Sequence, residues 1–418
     1  MWSSIFGLRA GRSRAMPSWS LAIEGARREV GALKGALPKA RRIAWFGYFT
    51  VREILSTAML VPFALRSATA RTRVTSETVG RLLGSRARVQ RSRYGDLERN
   101  MVDVYTPKPG GTELHDRLGS KGQGLPVVLF VHGGVWSSGE LWHYSAMGED
   151  LASQGCVVIV ATYNFYPQVS VEHQVKDVKD AIDWTERNCE SFGGNREDVT
   201  LVGHSSGAHL SLMAVLEGAT SRQCPRSVVL MAGVYDIAKH YEYERRRGVH
   251  SMSAMERAHG GEENFARFSP ALLLGGESVL GPGTSSDIED RERQRAELMA
   301  EEPEGVCERM RSAGLVLEGG DSGPGRAAGA KKNNERFGSL PEIHLMSGLR
   351  DNVVPWYWSQ ELALVLRENE CSFRNTVYSE ADHLSFIGCF NRGEGENAIR
   401  EDLIEIFLKN RRASQRVR

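Results

Sequence analysis

The sequence predicts an α/β fold built on a mostly parallel central sheet, and three features carry that prediction. Residues 126–131 (PVVLFV) and 156–161 (CVVIVA) are short, almost wholly apolar runs rich in β-branched side chains, as expected of central strands covered on both faces. Residues 199–202 and 228–232 repeat the pattern. Between these runs, 175–188 and 208–216 carry helical spacing, so strands and helices alternate and helices should cover both faces of the sheet.

Composition supports a large globular core. The chain has 418 residues, 41% hydrophobic and 25% charged, which excludes wholesale disorder, collagen and a disulfide scaffold. Lys and Arg number 53 against 52 Asp and Glu, a net charge of +1, so no global field exists to hold nucleic acid. Six cysteines (Cys156, Cys189, Cys224, Cys307, Cys371 and Cys389) are scattered without CxxC pairs and read as free thiols. That scatter favours no metal cluster.

Taken in order, the chain opens on a basic arm. Residues 1–42 hold seven Arg and two Lys against Glu24 and Glu29, a local charge of +7, a composition shared by transit peptides and by segments that meet anionic membranes. Two apolar runs follow, 43–51 (IAWFGYFTV) and 54–65 (ILSTAMLVPFAL), split by Arg52 and Glu53. Together they are long enough to cross a bilayer. Each central charge costs roughly 2.5–3.5 kcal/mol in a spanning helix, so an interfacial segment competes with a transmembrane one, and a helix packed on the following domain is the third choice. Residues 1–66 are therefore expected to associate with a membrane, 67–93 to form a polar connector, and 94–418 to form the main domain.

Within that domain, alternation over 101–105 suggests a strand and 343–347 (IHLMS) a late strand. A mixed aromatic and basic stretch, 239–268, is read as a small helical cap over the strand C-termini. Residues 281–337 break the rhythm. Rich in Gly, Glu, Asp and Arg, with too few apolar residues for a core, they are expected to form a mostly disordered surface insertion with a transient helix within 287–311. The run Gly320-Asp321-Ser322-Gly323-Pro324 inside it looks like a serine-protease motif but lacks a scaffold.

The chemistry is carried by three separated motifs. Gly203-His204-Ser205-Ser206-Gly207 is a G-x-S-x-G placed after the apolar run VTLV and before the helix-compatible AHLSLMAV. Strand, sharp turn and helix lift a nucleophile above a sheet, Gly203 and Gly207 remove Cβ atoms that would clash there, and Ser205 is the predicted nucleophile. His132-Gly133-Gly134-Val135-Trp136 follows the strand PVVLFV, where backbone N–H groups of Gly133 and Gly134, with that of Ser206, can meet an oxyanion. Each such donor is worth about 2.7–4 kcal/mol. Trp136 supports this loop, and His132, at a strand end before the nucleophile, is read as orienting the loop rather than as the base.

The base and its acid should follow the serine in the order Ser, Asp, His. Asp351 lies just past the late strand in GLRDNVVP, and His383 sits in ADHLSF before the final helix. His383 would take the Ser205 proton while Asp351 fixes its tautomer. Asp382 and Glu380 are rival acids. The separation of 146 residues between Ser205 and Asp351 falls to about 89 without the insertion, room for two more strand-helix units and a short cap.

These segments resemble a known family, the carboxylesterases of the α/β-hydrolase fold, and within it the isoprenylcysteine α-carbonyl methylesterases. The likeness runs from about Tyr94 to the C-terminal helix, excluding the insertion, through YGDLERNMVDVYTP, HGGVW, FGGNREDVTLVGHSSGAH and GEENFARFSP in that order. HGGxW and G-x-S-x-G are shared with kynurenine formamidases and other esterases, whereas the YGD…RN opening and the GEE…FSP segment discriminate. The resemblance implies hydrolysis of the methyl ester on prenylated cysteines, with a small-molecule or prenylated-peptide ester as substrate and an endoplasmic reticulum or Golgi membrane as location. It also implies metal-free acyl transfer with no cofactor. An arylformamidase or broad carboxylesterase is the alternative reading. A silent ligand-binding protein on the same fold, or a partner-docking role for the insertion and basic arm, stands further off; oligomeric state is left open.

Overall fold

A computed structural model of the chain describes residues 87–108, 124–218, 225–275, 288–294, 340–390 and 398–416. The basic arm, the apolar runs 43–51 and 54–65, residues 67–86 of the connector, Cys224, Cys307 and the 320–324 motif lie outside these residues. The chain divides into two compact units. The first comprises 1–62 and Glu244–Ser253, of which only the latter is described: the end of a helix and a short 3-10 turn, His250–Met252. Everything below concerns the second, 63–243 with 254–418.

That unit is organised around an eight-stranded sheet, taken here as β1 (Ala87–Arg93), β2 (Met101–Pro107), β3 (Leu125–Val131), β4 (Val157–Ala161), β5 (Gly194–His204), β6 (Ser227–Met231), β7 (Glu342–Gly348) and β8 (Phe373–Tyr378), in spatial order 1-2-4-3-5-6-7-8. Strands β3 to β8 are mutually parallel, and β2 joins β4 antiparallel, with β1 antiparallel outside it. Among the described residues the helices are α1 (Ser145–Ser153), α2 (Val171–Asn188), α3 (Ser206–Leu216), α4 (Ile237–Arg246), α5 (Met255–Ala258), α6 (Pro270–Gly275), α7 (Tyr357–Glu368), α8 (Ser385–Gly388) and α9 (Ala398–Arg416), with a further helical stretch at 288–294.

Alternate residues of the central strands feed two cores. Val127, Leu129, Val131, Val157, Ile159 and Ala161 pack with α2, α3, α6 and α7 on one face. Val128, Phe130, Val158 and Val160 pack with Leu151 of α1 and Leu403 and Phe407 of α9 on the other. The period of two along each strand explains why these runs are apolar throughout: every position is buried. On α2 the buried positions Val171, Val175, Val178 and Ile182 recur at helical spacing, whereas every residue of α3 is buried, as a helix running behind the sheet centre requires.

The sheet begins earlier than the sequence indicated. β1 occupies the last seven residues assigned to the polar connector 67–93, so the domain's first strand precedes Tyr94. Its only buried residue is Ala87, because an edge strand paired on one side needs no apolar run, and Arg91 meets the buried Asp103 of β2 through two hydrogen bonds of 2.7 and 2.8 Å. The described part of the insertion falls within the helix expected over 287–311 but is docked on the core rather than lying on the surface. Residues 288–294 are helical, Ile288 is buried in the core, and Arg291 reaches Glu361 on α7 at 2.6 Å; the rest of 281–337 lies outside the described residues. Among the described residues no helix is long and apolar enough to cross a membrane.

Strand register sets the site. Val131 is opposite Gly203, His204 opposite Met231, and Met231 opposite Met346, so the loops leaving β3, β5 and β7 emerge at one end of the sheet. Ligand sites of open parallel sheets form at that carboxyl end.

Candidate active site

Ser205 sits between β5 and α3 with φ 55° and ψ −123°, a conformation that costs a non-glycine residue on the order of 1–3 kcal/mol. The turn is fixed by its neighbours. The Ser205 N–H donates to the Met231 carbonyl at 2.9 Å, and the Ser205 carbonyl accepts from Ala208 and His209 at 3.0 and 3.2 Å. The two flanking glycines are required by contact. A Cβ on Gly207 would lie 2.3 Å from the Val131 oxygen, and one on Gly203 2.6 Å from Ala208 Cα.

Three residues predicted from chain order come together here. His383 Nε2 lies 3.0 Å from Ser205 Oγ, and His383 Nδ1 lies 2.7 Å from Asp351 Oδ2. Asp351 is wholly buried, and its other oxygen accepts the N–H groups of Val353 and Val354, both at 2.8 Å. With a carboxylate on Nδ1, the neutral imidazole carries its proton there and offers a bare Nε2 to the serine hydroxyl. The rival acids are engaged elsewhere: Asp382 accepts the N–H groups of Leu384 and Ser385 at the start of α8, and Glu380 pairs with Arg350 at 2.6 Å.

The HGG loop lies against the elbow. A Cβ on Gly133 would come 2.9 Å from that of Ser205, and Gly134 takes φ +138°, with its carbonyl accepting Ser137 and Ser138 N–H groups, each at 3.0 Å. Ser206 N–H belongs to the first turn of α3, where helix donors have no intrahelical partner. Strain continues at Val135 and Trp136, with φ of 52° and 57°. The Gly133 backbone and the N-terminus of α3 thus both lie beside Ser205.

His132 is fully buried and bonds inside the loop. Its Nδ1–H donates to the Gly133 carbonyl at 2.7 Å, its Nε2 accepts from Thr162 Oγ1 at 3.0 Å, and its ring stacks on Tyr163 and Tyr144 at 4.8 and 5.6 Å. Desolvation pushes its pKa down to about 4, so it remains neutral. Trp136 turns inward and donates from Nε1 to His209 Nδ1 at 3.1 Å, and His209 Nε2–H donates to the Phe268 carbonyl at 2.7 Å. This chain ties the loop through α3 to the end of the 239–268 stretch, which is helical only in short pieces.

A second layer escaped sequence reasoning. Arg99 donates to the Gly139 carbonyl at 2.7 Å and to Thr162 Oγ1 at 3.2 Å while its guanidinium lies 3.8 Å above the Phe165 ring, so it clamps the far end of the HGG loop. Beside it Asn100 donates to buried Asp177, which also accepts the Asn164 N–H and side-chain amide, all at 2.8 Å. The Arg-Asn pair of the YGDLERN segment was the available signal; its partners, 40 to 77 residues away, were not.

Comparison with known proteins extends this geometry. The BD-FAE family model matches residues 116–251. The chain is 32% identical over 206 residues to isoprenylcysteine alpha-carbonyl methylesterase ICME of Arabidopsis thaliana, covering 46% of this chain and 44% of that protein. It is 34% identical over 125 residues to esterase LipC of Mycobacterium tuberculosis, covering 29% of this chain and 28% of that protein. A kynurenine formamidase of Danio rerio is 25% identical over 147 residues, covering 34% of this chain and 45% of that one. The chain thus spans less than half the length of these curated relatives. Among solved structures, esterase B from Lactobacillus rhamnosis superposes with a TM-score of 0.51 at 17% identity over 86% of this chain and 99% of that one. Strand order and structural likeness together give the chain the α/β-hydrolase fold, and in sequence it resembles the carboxylesterases of that fold, the isoprenylcysteine alpha-carbonyl methylesterases among them.

Proposed function

We propose that the chain is a serine carboxylesterase whose substrate is the methyl ester of a prenylated cysteine. The observation that carries the hydrolase reading is the relay from Ser205 Oγ to His383 Nε2 at 3.0 Å and on to Asp351 at 2.7 Å, at a strained strand-to-helix turn. In this reading Ser205 attacks the ester carbonyl as His383 takes its proton, and Asp351 stabilises the resulting imidazolium. The oxyanion is met by N–H groups of Gly133, Gly134 and Ser206. His383 then gives the proton to the departing methoxide, and a water activated by the same imidazole frees the acyl group from Ser205. Removing one oxyanion donor should cost about 10²–10³ in kcat.

The substrate class is supported by the likeness to proteins named as isoprenylcysteine alpha-carbonyl methylesterases and by the basic arm and apolar runs of residues 1–65. A membrane-associated enzyme of the endoplasmic reticulum or Golgi would meet a prenyl chain where that chain partitions. The likeness to a kynurenine formamidase supplies the competing substrate class.

Turnover by the full chain and its Ser205→Ala variant on farnesylcysteine methyl ester, N-formylkynurenine and a short p-nitrophenyl ester tests both levels. The highest kcat/KM is expected on the prenylated ester, collapsing in the variant. A preference for the formamide or the short ester removes the methylesterase reading and leaves the hydrolase. Turnover of nothing, or turnover that survives Ser205→Ala, removes the hydrolase reading as well.

A further inference from the structure

We propose that His204, the residue preceding the nucleophile, is a positioning residue that holds the backbone of His383 and so keeps its Nε2 aimed at Ser205. The inference rests on the serine-hydrolase reading above. His204 ends β5, the strand at the centre of the parallel sheet, and its ring is buried. Its Nε2 lies 2.9 Å from the main-chain oxygen of His383, 179 residues later in the chain. A carbonyl only accepts, so His204 Nε2 carries the hydrogen and donates it.

The geometry gives this bond a specific consequence. Ser205 Oγ and His383 Nε2 are the two atoms that must meet, and His204 links their backbones directly. On one side His204 is covalently joined to Ser205; on the other it holds the carbonyl of His383 itself. The two imidazoles lie 4.8 Å apart, and Phe386 closes the His204 ring at 6.5 Å. The opposite edge approaches the HGG loop, since a Cβ on Gly133 would fall 3.1 Å from His204 Nδ1. One side chain therefore links the elbow to the HGG loop and to the His383 loop.

A neutral ring is what this place requires. Burial first, then the neighbouring His383, pushes the His204 pKa down to about 3. A second cation this close would oppose the charge that His383 takes up when it receives the serine proton. The groups facing the ring are His383 and, further off, His132, itself held neutral by burial. Glutamine at 204 would keep a donor at similar reach without any charge; leucine would fill the space and donate nothing.

The test measures kcat and KM of the full chain on p-nitrophenyl butyrate for wild type, His204→Gln, His204→Leu and Ser205→Ala, with melting temperatures alongside. In His204→Leu kcat is expected to fall on the order of tenfold while KM stays within about twofold, the pattern of a misaimed base rather than a lost contact to substrate. His204→Gln should restore kcat to within about threefold of wild type. The low-field proton signal of His383 Nδ1–H should persist in the Gln variant and broaden in the Leu variant. If His204→Leu fails to fold, His204→Asn, a donor one bond too short, carries the same expectation. Wild-type kcat in the Leu or Asn variant, equal losses with and without the donor, or losses that follow melting temperature alone would overturn the proposal. Turnover that survives Ser205→Ala would instead overturn the hydrolase reading on which it rests.

Discussion

The elbow around Ser205 and the loops that carry Asp351 and His383 meet at hydrogen-bond distance but differ in what fixes their working residues. At the elbow the chain is fixed by close packing against backbone: added Cβ atoms at Gly203 and Gly207 would sit 2.6 and 2.3 Å from main-chain atoms of Ala208 and Val131. Beyond β7 and β8 the side chains are fixed by polar atoms: two N–H groups hold one Asp351 oxygen, and His383 holds the other. The loop side shares the first device, since a Cβ on Gly348 would sit 2.2 Å from the Ala381 oxygen, but Asp351 and His383 themselves are set by hydrogen bonds. A substitution that adds one methyl should therefore break the elbow, and one that changes no volume should break the loops.

The largest effect is expected from such an isosteric change, Asp351→Asn. Oδ1 must stay an oxygen to accept Val353 and Val354 N–H groups, so the new amide NH₂ faces His383 Nδ1. That turns Nδ1 into the acceptor, moves the ring proton to Nε2 and leaves no base for Ser205. Esterase kcat should fall by about 10³–10⁴, or roughly 4–5.5 kcal/mol, with little change in melting temperature. A variant that kept a tenth of its activity would show that Asp351 does not set the tautomer.

Gly207→Ala comes next and should act through stability. Its Cβ would press on the main-chain oxygens of Val131 and His132 at 2.3 and 2.4 Å, and neither can yield without moving β3 or the HGG loop. We expect a loss of about 3 kcal/mol or more in urea unfolding, together with lost activity. A stable, active Gly207→Ala protein would mean that the elbow yields after all.

Acid sensitivity should report buried histidines on both sides, since the pKa of His240, which accepts from Trp358 on α7, is also pushed down to about 3. His132 and His209, on the elbow side, have pKa values pushed down to about 4 by desolvation, and His204 to about 3. Unfolded histidine titrates near 6.5, so below that pH the unfolded chain binds protons that the folded chain refuses. Stability is then full above about pH 6.5, falls as pH drops through it, and stops falling on this account only near the folded values. Each histidine adds at most about 1.4 kcal/mol per pH unit. Urea unfolding between pH 7.5 and 5 should show the slope, offset by at most one proton from Glu244, whose pKa burial pushes up to about 8, and His209→Asn should lower it by up to one proton. A flat profile would count against neutral burial.

Legibility in the sequence follows the same division. The central strands and the elbow were readable because burial on both faces leaves an unbroken apolar run and close approach leaves glycine; β3, β4, Gly203 and Gly207 are examples. Asp351 was readable by its place just past a late strand and His383 by its place before the final helix, in the expected order after Ser205. β1 was not, because its Arg, Gln and Ser face solvent at the sheet edge, and β8, with Asn375 buried against Gln360, carries no apolar run either. The roles of Arg99 and Asn100 were hidden for a different reason: such a polar side chain is recognised by its partner, and the fold alone brings Gly139 to the one and Asp177 to the other.

The smallest effect is expected where the loop side meets the insertion. α7 starts six residues after Asp351, and its Glu361 accepts from Lys239 at 3.2 Å and from Arg291 of the 288–294 helix at 2.6 Å. Burial pushes the Glu361 pKa up, opposed first by Arg291 and then by Lys239. Replacing Arg291 by Met leaves Lys239 still paired with Glu361, and Arg291 is a third exposed, so much of its attraction is screened. A loss of about 1 kcal/mol or less is expected, a shift of at most about 2–4 °C in melting temperature, with kcat within about twofold of wild type. A tenfold fall in kcat at unchanged stability would mean that the α7 anchor reaches Asp351, and that the loop side, too, depends on packing behind it.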